Sequence, residues 1–201
     1  MDSYLQRLPR ILYHLEILLK DRGYIPPVFP KTCEEIISLA LQSNKSIGQC
    51  LTFKLQHVAL KTNLLVSFID PIFDVAKNKE IMTSSYQIYG VKEEYIDHGD
   101  HALIICYGKL SPDAAKEIIK LRKKNIQVIT HLSLTFPITQ HVMYKNHIAL
   151  SVREASEWET KHRIKRTQLP IMKFSDPVRI WFGWPKNTII KIDRGAYRCV
   201  K

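Results

Sequence analysis

The stretch HALIICYGKLSPDAAKEIIKLRKKNIQVITHL, residues 101–132, decides the fold class. Residues 101–107, HALIICY, form a continuous apolar run, and residues 126–132 form a second. Between them Ser111 stands as an N-cap, Pro112 takes the first helical position, Asp113 lies in the first turn and basic residues fill the last. The segment 111–125 is therefore predicted to be a helix. Strand, helix and strand joined by brief connections predict a right-handed βαβ unit whose parallel strands are buried on both faces. The N-terminal part of the chain is expected to be α/β.

Upstream, LQRLPRILYHLEILLKDR (5–22) places Leu8, Ile11, Leu12, Leu15, Leu18 and Leu19 at helical spacing, with Gly23 where a left-handed C-terminal cap belongs. His14 lies near that apolar face and reads as a packed or half-exposed side chain. Pro26, Pro27 and Pro30 forbid helix until Thr32, whose spacing to Glu35 makes a capping box for a second helix. Residues 57–70, HVALKTNLLVSFID, read as strand or hairpin ending in an Asp-Pro turn.

Downstream, the pattern weakens between about Leu132 and Val142, and the boundary between a domain at 1–136 and a domain at 137–201 is placed there. HIAL reads as a short extended segment, and Ser151 with Glu154 opens a helix carrying Ala155 and Trp158 on one side. Ser175 or Asp176 caps a short helix that begins at Pro177 and ends at Gly183. TIIKI and YRCV alternate as two strands joined by DRGA, where Gly195 supplies any positive φ. The second domain is expected to be small and α+β.

The chain has 201 residues, 45% hydrophobic and 24% charged, which is ordinary for a globular protein. A run of about 18 apolar residues, as a membrane span requires, does not occur in it. MDSYLQRLPR lacks the basic-apolar-small pattern of a secretory signal, so an intracellular chain is expected. Cys33, Cys50, Cys106 and Cys199 are widely spaced with no CxxC pair, which fits reduced thiols rather than a zinc or disulfide framework.

The net charge of +11 is unevenly placed. Residues 161–201 hold 11 Lys or Arg against Asp176 and Asp193, a balance of +9, and residues 1–160 hold 19 against 17, a balance of +2. That asymmetry fits a nucleic-acid partner or an acidic protein surface equally well. The cluster Lys161, Arg163, Lys165 and Arg166 also sits where a helix dipole favours cations.

Motifs for chemistry are sparse. DHGDH places Asp97, His98, Asp100 and His101 together, but the run reads first as a polar turn before a strand. There is no GxSxG elbow, P-loop or GxGxxG. A Mg²⁺-dependent nuclease, or a stand-alone DNA-binding protein, is the alternative that a basic α/β domain invites. Asp70 and Asp74 are its candidate metal carboxylates, although turn chemistry also explains Asp70-Pro71.

Residues 168–192, QLPIMKFSDPVRIWFGWPKNTIIKI, carry a resemblance. They resemble the C-terminal assembly module of the fifth subunit of eukaryotic multisubunit RNA polymerases and of its shorter archaeal counterpart. Gln168, Leu169, Pro170, Asp176, Pro177, Val178, Phe182, Gly183, Lys191, Ile192, Arg194, Tyr197 and Arg198 fall in that family's pattern. ITQHVMYKNHIALSVREASEW is similar to the segment joining its two modules, HALIICYGKLSPDAAKEI to its strand-loop-helix, and RILYHLEILLKDRGY to its first helix. Two departures stand out: the connector in KIDRGAYRCV is several residues shorter than the family's, and Arg179 follows Val178 directly. The divergence of an otherwise complete plan points to a viral homologue.

The resemblance implies a non-catalytic subunit of a DNA-directed RNA polymerase, with no metal, cofactor, small-molecule substrate or membrane. The N-terminal domain would be a jaw beside downstream duplex DNA, with Lys109, Ser111, Pro112 and Lys116 nearest to it. The same Ser-Pro pair is also simply a good N-cap. The C-terminal domain would assemble on the largest polymerase subunit and the rest of the complex. Its implied assembly surface comprises Pro170, Asp176, Pro177, Val178, Arg179, Trp181, Phe182, Gly183, Ile190, Arg194, Tyr197 and Arg198. A capped helix and a hairpin with Trp181, Phe182 and Trp184 suit docking by backbone pairing and packed aromatics. The implied location is host cytoplasm and virion for a viral chain, or the nucleus for a cellular one.

Overall fold

A computed structural model describes residues 2–60, 62–69, 72–74, 79–81, 101–106, 111–113, 116, 126–193 and 195–201. The fold is mixed α/β, and the chain divides into two compact units, Met1–Phe136 and Pro137–Lys201.

The first unit opens with α1, Asp2–Asp21. Its six apolar residues at helical spacing, Leu8 to Leu19, are all at most 2% exposed, so this one stripe supplies much of the core. Each buried Leu or Ile contributes about 1.5–3 kcal/mol. The helix ends in a Schellman motif: Gly23 N donates to Lys20 O (2.9 Å) and Tyr24 N to Leu19 O (2.9 Å), with Gly23 at φ +82°. Pro9 lies inside the helix and has no N–H for the Leu5 carbonyl one turn back. The Cys33 thiol donates to that same carbonyl at 3.1 Å.

Cys33 begins α2, Cys33–Ser43. The Thr32 hydroxyl accepts from Glu35 N (3.2 Å), but Glu35 Oε2 accepts from Lys31 N (2.7 Å), one residue earlier than a reciprocal box requires. A four-residue helix that periodicity does not predict, α3 (Ile47–Cys50), follows with a complete Ser46–Gln49 capping box.

Strand β1 (Phe53–Gln56) pairs antiparallel with β2 (Asn63–Ile69). A separate antiparallel pair joins β3 (Ile72–Asp74) to β4 (Lys79–Ile81). Strand β5 (His101–Cys106) runs parallel to both β2 and β6 (Ile126–Thr130), which completes a four-stranded sheet in the order β1-β2-β5-β6. Leu64–Ile69 and Ala102–Cys106 are buried without alternation, as strands covered on both faces must be. Of the helix expected at 111–125, Pro112, Asp113 and Lys116 are helical and the other residues after Ser111 lie outside the described set.

The reading of residues 57–70 needs correction at its start. His57 stands at the mouth of the hairpin turn, bridged antiparallel to Tyr24, and its Nδ1 accepts from Ala59 N (3.0 Å) and Leu60 N (3.1 Å) within the turn. The partner strand lies before it, in Phe53–Gln56. Likewise β6 stops at Thr130, and His131–Leu134 form a 3₁₀ turn. His14 is buried and its Nδ1 lies 2.7 Å from the Leu134 carbonyl oxygen, an acceptor, so the ring donates there.

The second unit is built around the hairpin of β9 (Ile189–Ile192) and β10 (Ala196–Val200). Strand β7 (His147–Ala149) adds antiparallel to β9, and β8 (Ile171–Met172) adds parallel to β10. The sheet order is therefore β7-β9-β10-β8. Ile189 and Cys199 pack on one side with Ala155, Leu169 and Trp158, and Ile190, Ile192 and Val200 on the other with Met172, Phe174 and Trp184.

Ala155 and Trp158 come from α4, Val152–His162. Ser151 and Glu154 make its reciprocal box at 3.2 and 2.8 Å. Beyond its C-terminus, Arg166 donates to Glu159 through its backbone N (2.8 Å), Nε (3.1 Å) and Nη2 (2.6 Å).

Two expectations follow. Gly23→Ala places a Cβ 2.8 Å from His57 Nε2 at φ +82°, whereas Gly195→Ala at φ +99° meets nothing within 4 Å. Chemical denaturation is expected to show a loss above about 1 kcal/mol for Gly23→Ala and a smaller one for Gly195→Ala. The Arg166 hydrogen bonds hold the Glu159 carboxyl below its ordinary range. A depressed folded value contributes stability above the unfolded pKa and loses it as pH falls through the folded one. Glu159→Gln is therefore expected to lower the thermal midpoint at neutral pH, with the difference shrinking towards about pH 3.

Candidate assembly interface

The segment after β8 builds the most highly specified local structure in the second unit. Asp176 Oδ1 accepts from Val178 N (2.9 Å) and Arg179 N (3.4 Å), capping α5, Pro177–Phe182. Pro177 at the first position loses no hydrogen bond there. Gly183 closes the helix at φ +71°, its N–H donating to Arg179 O (2.8 Å).

Arg179 then ties the helix to the chain that follows. Its side chain is buried, Nε donates to the Trp184 carbonyl (2.9 Å), and the guanidinium lies 4.1 Å from the centre of the Phe174 ring. Phe182 and Trp184 stack at 4.7 Å with 5° between their planes. His147 and Tyr144 continue this row, His147 at 6.3 Å from Trp184 and 5.6 Å from Tyr144. Trp181 is 2% exposed and serves the interior.

The implied assembly residues thus separate into two groups. Arg179, Trp181 and Ile190 are buried and hold the shape of the unit from inside. Pro170, Pro177 and Arg198 are exposed, and Asp176, Val178, Phe182, Gly183 and Tyr197 are half-buried along the same segment and hairpin. Tyr197 meets Trp158 at 4.6 Å on the α4 side, where Trp158 also stacks on His162 at 4.5 Å. Arg194 lies outside the described residues. The sequence pattern assigns the arginine after Asp-Pro-Val to a surface; that it is covered by an aromatic ring and a carbonyl is visible only in three dimensions.

Among the DNA-proximal candidates, Lys109 lies outside the described residues. Ser111 is half-buried just before the helical Pro112, and Pro112 and Lys116 are exposed. Lys116 Nζ is 3.8 Å from the Asp113 carboxylate with both side chains largely in solvent, a pair of little energetic weight.

Chemically reactive arrangements are absent from this interface among the described residues. Burial raises the pKa of the Cys199 thiol, which disfavours the thiolate that nucleophilic chemistry needs. Three or more His, Cys, Asp or Glu placed to share a metal ion do not occur among the described residues. Asp97, His98, Asp100 and Asp70 lie outside them, His101 begins β5 and Asp74 ends β3. No helix among the described residues is long and apolar enough to cross a membrane.

Comparison with known proteins bears on the same unit. Residues 136–200 match the family model for the RNA polymerase Rpb5 C-terminal domain. A DNA-directed RNA polymerases I, II, and III subunit rpabc1 of Dictyostelium discoideum is 26% identical over 110 residues, covering 51% of this chain and 56% of that relative. The corresponding RPABC1 proteins of Caenorhabditis briggsae and Caenorhabditis elegans are each 27% identical over 94 residues, covering 46% of this chain and 44% of theirs. The matched stretches thus span about half the length of these curated relatives, and they are longer than residues 136–200, so the likeness reaches into the first unit. Residues 136–200 of this chain are thus similar to the C-terminal domain of RNA polymerase Rpb5, and the chain as a whole is similar over about half its length to polymerase subunits of the RPABC1 kind.

Proposed function

We propose that this chain is a non-catalytic subunit of a multisubunit DNA-dependent RNA polymerase. The observation that carries this reading is the coincidence of the family match at residues 136–200 with a compact unit at Pro137–Lys201. In this reading the second unit anchors the chain on the largest polymerase subunit. It does so with shape: the Asp176 cap, Pro177 and the stacked Phe182–Trp184 pair present a rigid, half-exposed surface at small entropic cost.

The first unit, in the same reading, is a jaw with a βαβ unit that supports downstream duplex DNA without reading its bases. The parallel β5–β6 pairing supports that architecture. The exposed Pro112 and Lys116 at a helix start, together with Ser111, support contact with phosphates. Such contact is weak and salt-sensitive in the isolated chain.

The test is purification of the tagged chain at moderate salt. Polymerase subunits are expected to co-elute with it in near one-to-one ratio. Emergence of the chain alone, with tight DNA binding or Mg²⁺-dependent cleavage, overturns the reading. Asp176→Ala removes the cap of α5 at an expected cost of about 1 kcal/mol. Because the cap shapes the proposed surface, this variant is expected to co-elute less than the parent while the first unit unfolds at an unchanged midpoint.

A further inference from the structure

The sheet of the second unit has two edges, and they differ. Strand β8 has only two residues and follows Pro170, which lacks an N–H, so that edge is short and blunted. Strand β7 has no Pro within it and no strand on its outer side among the described residues. On its inner side Leu150 N donates to Ile189 O (2.9 Å) and Asp193 N to Asn146 O (3.0 Å), with Ile148 directly opposite Lys191. Antiparallel alternation then turns the backbone groups of residues 146, 148 and 150 towards β9. The N–H and C=O of His147 and Ala149 face outwards.

Side chains around this edge are mainly apolar and cationic, and the Asp193 carboxylate beside them is engaged by Asn146 N. Ile148 is 52% exposed and Met143, just before the strand, is 77% exposed. Asn146, Ile148, Lys191 and Asp193 line an open concavity of about 400 Å³. Lys145 precedes the strand, and Lys191 rises beside Ile148.

Charge accounting fixes the sign of what fits there. Residues 137–201 contain thirteen Lys or Arg and five Asp or Glu. All five carboxylates are engaged within the unit. Glu154 and Asp176 cap helices, Glu157 and Glu159 pair with Arg153 and Arg166, and Asp193 accepts from Asn146 N (2.9 Å). No ion pair of Lys145 or Lys191 occurs among the described residues, so both exposed cations are open to carboxylates of another molecule.

We propose that the outer edge of β7 is a strand-addition site for an acidic, extended segment of a neighbouring protein chain. The segment pairs with the backbone of His147 and Ala149, sets an apolar side chain on Ile148 and places carboxylates near Lys145 and Lys191. A nucleic acid matches the charge but supplies no backbone N–H and C=O ladder, and it leaves Ile148 and Met143 uncovered. The proposal rests on the polymerase-subunit reading and names the edge and the chemistry of the partner segment within it.

The test uses the full tagged chain and the complex it purifies in. Ala149→Pro removes an outward N–H while sparing the β7–β9 ladder, the one orientation in which a strand tolerates proline. Lys145→Glu combined with Lys191→Glu tests charge and keeps the proposal testable if the proline variant fails to fold. Both are expected to co-elute about tenfold less than the parent, with unchanged thermal unfolding of the free chain. In the parent complex, hydrogen exchange at the His147 and Ala149 amides is expected to slow by about tenfold or more relative to the free chain.

Equal co-elution of parent and folded variants overturns the edge assignment and leaves the subunit reading standing. Unprotected His147 and Ala149 amides, or an association abolished by nuclease, overturn the edge assignment in favour of a different face or a nucleic acid. A parent chain that elutes alone overturns both.

Discussion

Ile189 and Cys199 on one face of the β9–β10 hairpin, and Ile190, Ile192 and Val200 on the other, have to be covered at the same time. A unit of this size has few elements with which to do it. Helix α4 covers the first face through Ala155 and Trp158. The second is closed by Met172, Phe174 and Trp184, in the chain that flanks α5. The Asp176 cap fixes where that chain turns. Arg179, donating to the Trp184 carbonyl under the Phe174 ring, fixes where it returns. Every half-exposed residue of the candidate interface inherits its position from this double burial.

The same constraint accounts for the chemical quietness of the segment. Its polar groups are committed to holding backbone: Asp176 to a helix start, Arg179 to a carbonyl, Glu154 and Asp193 to backbone N–H groups. Once the five carboxylates are engaged internally, the unit presents cations and aromatic edges outwards. That surface is equipped to be bound, which agrees with the proposed role as an assembly module.

Elements whose signals are local were legible in the sequence. The leucine stripe of α1, the Gly23 cap, the Ser151–Glu154 box and the Asp176-Pro177 start each depend on residues a few positions apart. The hairpin turn at His57 was not legible, because a histidine accepting two backbone N–H groups has no sequence signature. Helix α3 is too short for periodicity to register. Pro9 within α1 is tolerated because Cys33, far along the chain, supplies a donor to Leu5 O, a compensation only tertiary structure reveals. At the candidate site, the motif residues were readable as a pattern. Which of them face inwards was not: Arg179 and Trp181 belong to the interior, whereas the Lys145 to Ile148 edge was readable as an extended segment but not as a site.

The most direct measurement is a reconstruction of the complex in which the tagged chain purifies, at a resolution that traces individual strands. Residues 137–201 are expected to be seated against another polymerase chain, with Pro177, Val178 and the Phe182–Trp184 stack at the contact. A second unit surrounded by solvent on every side would contradict this.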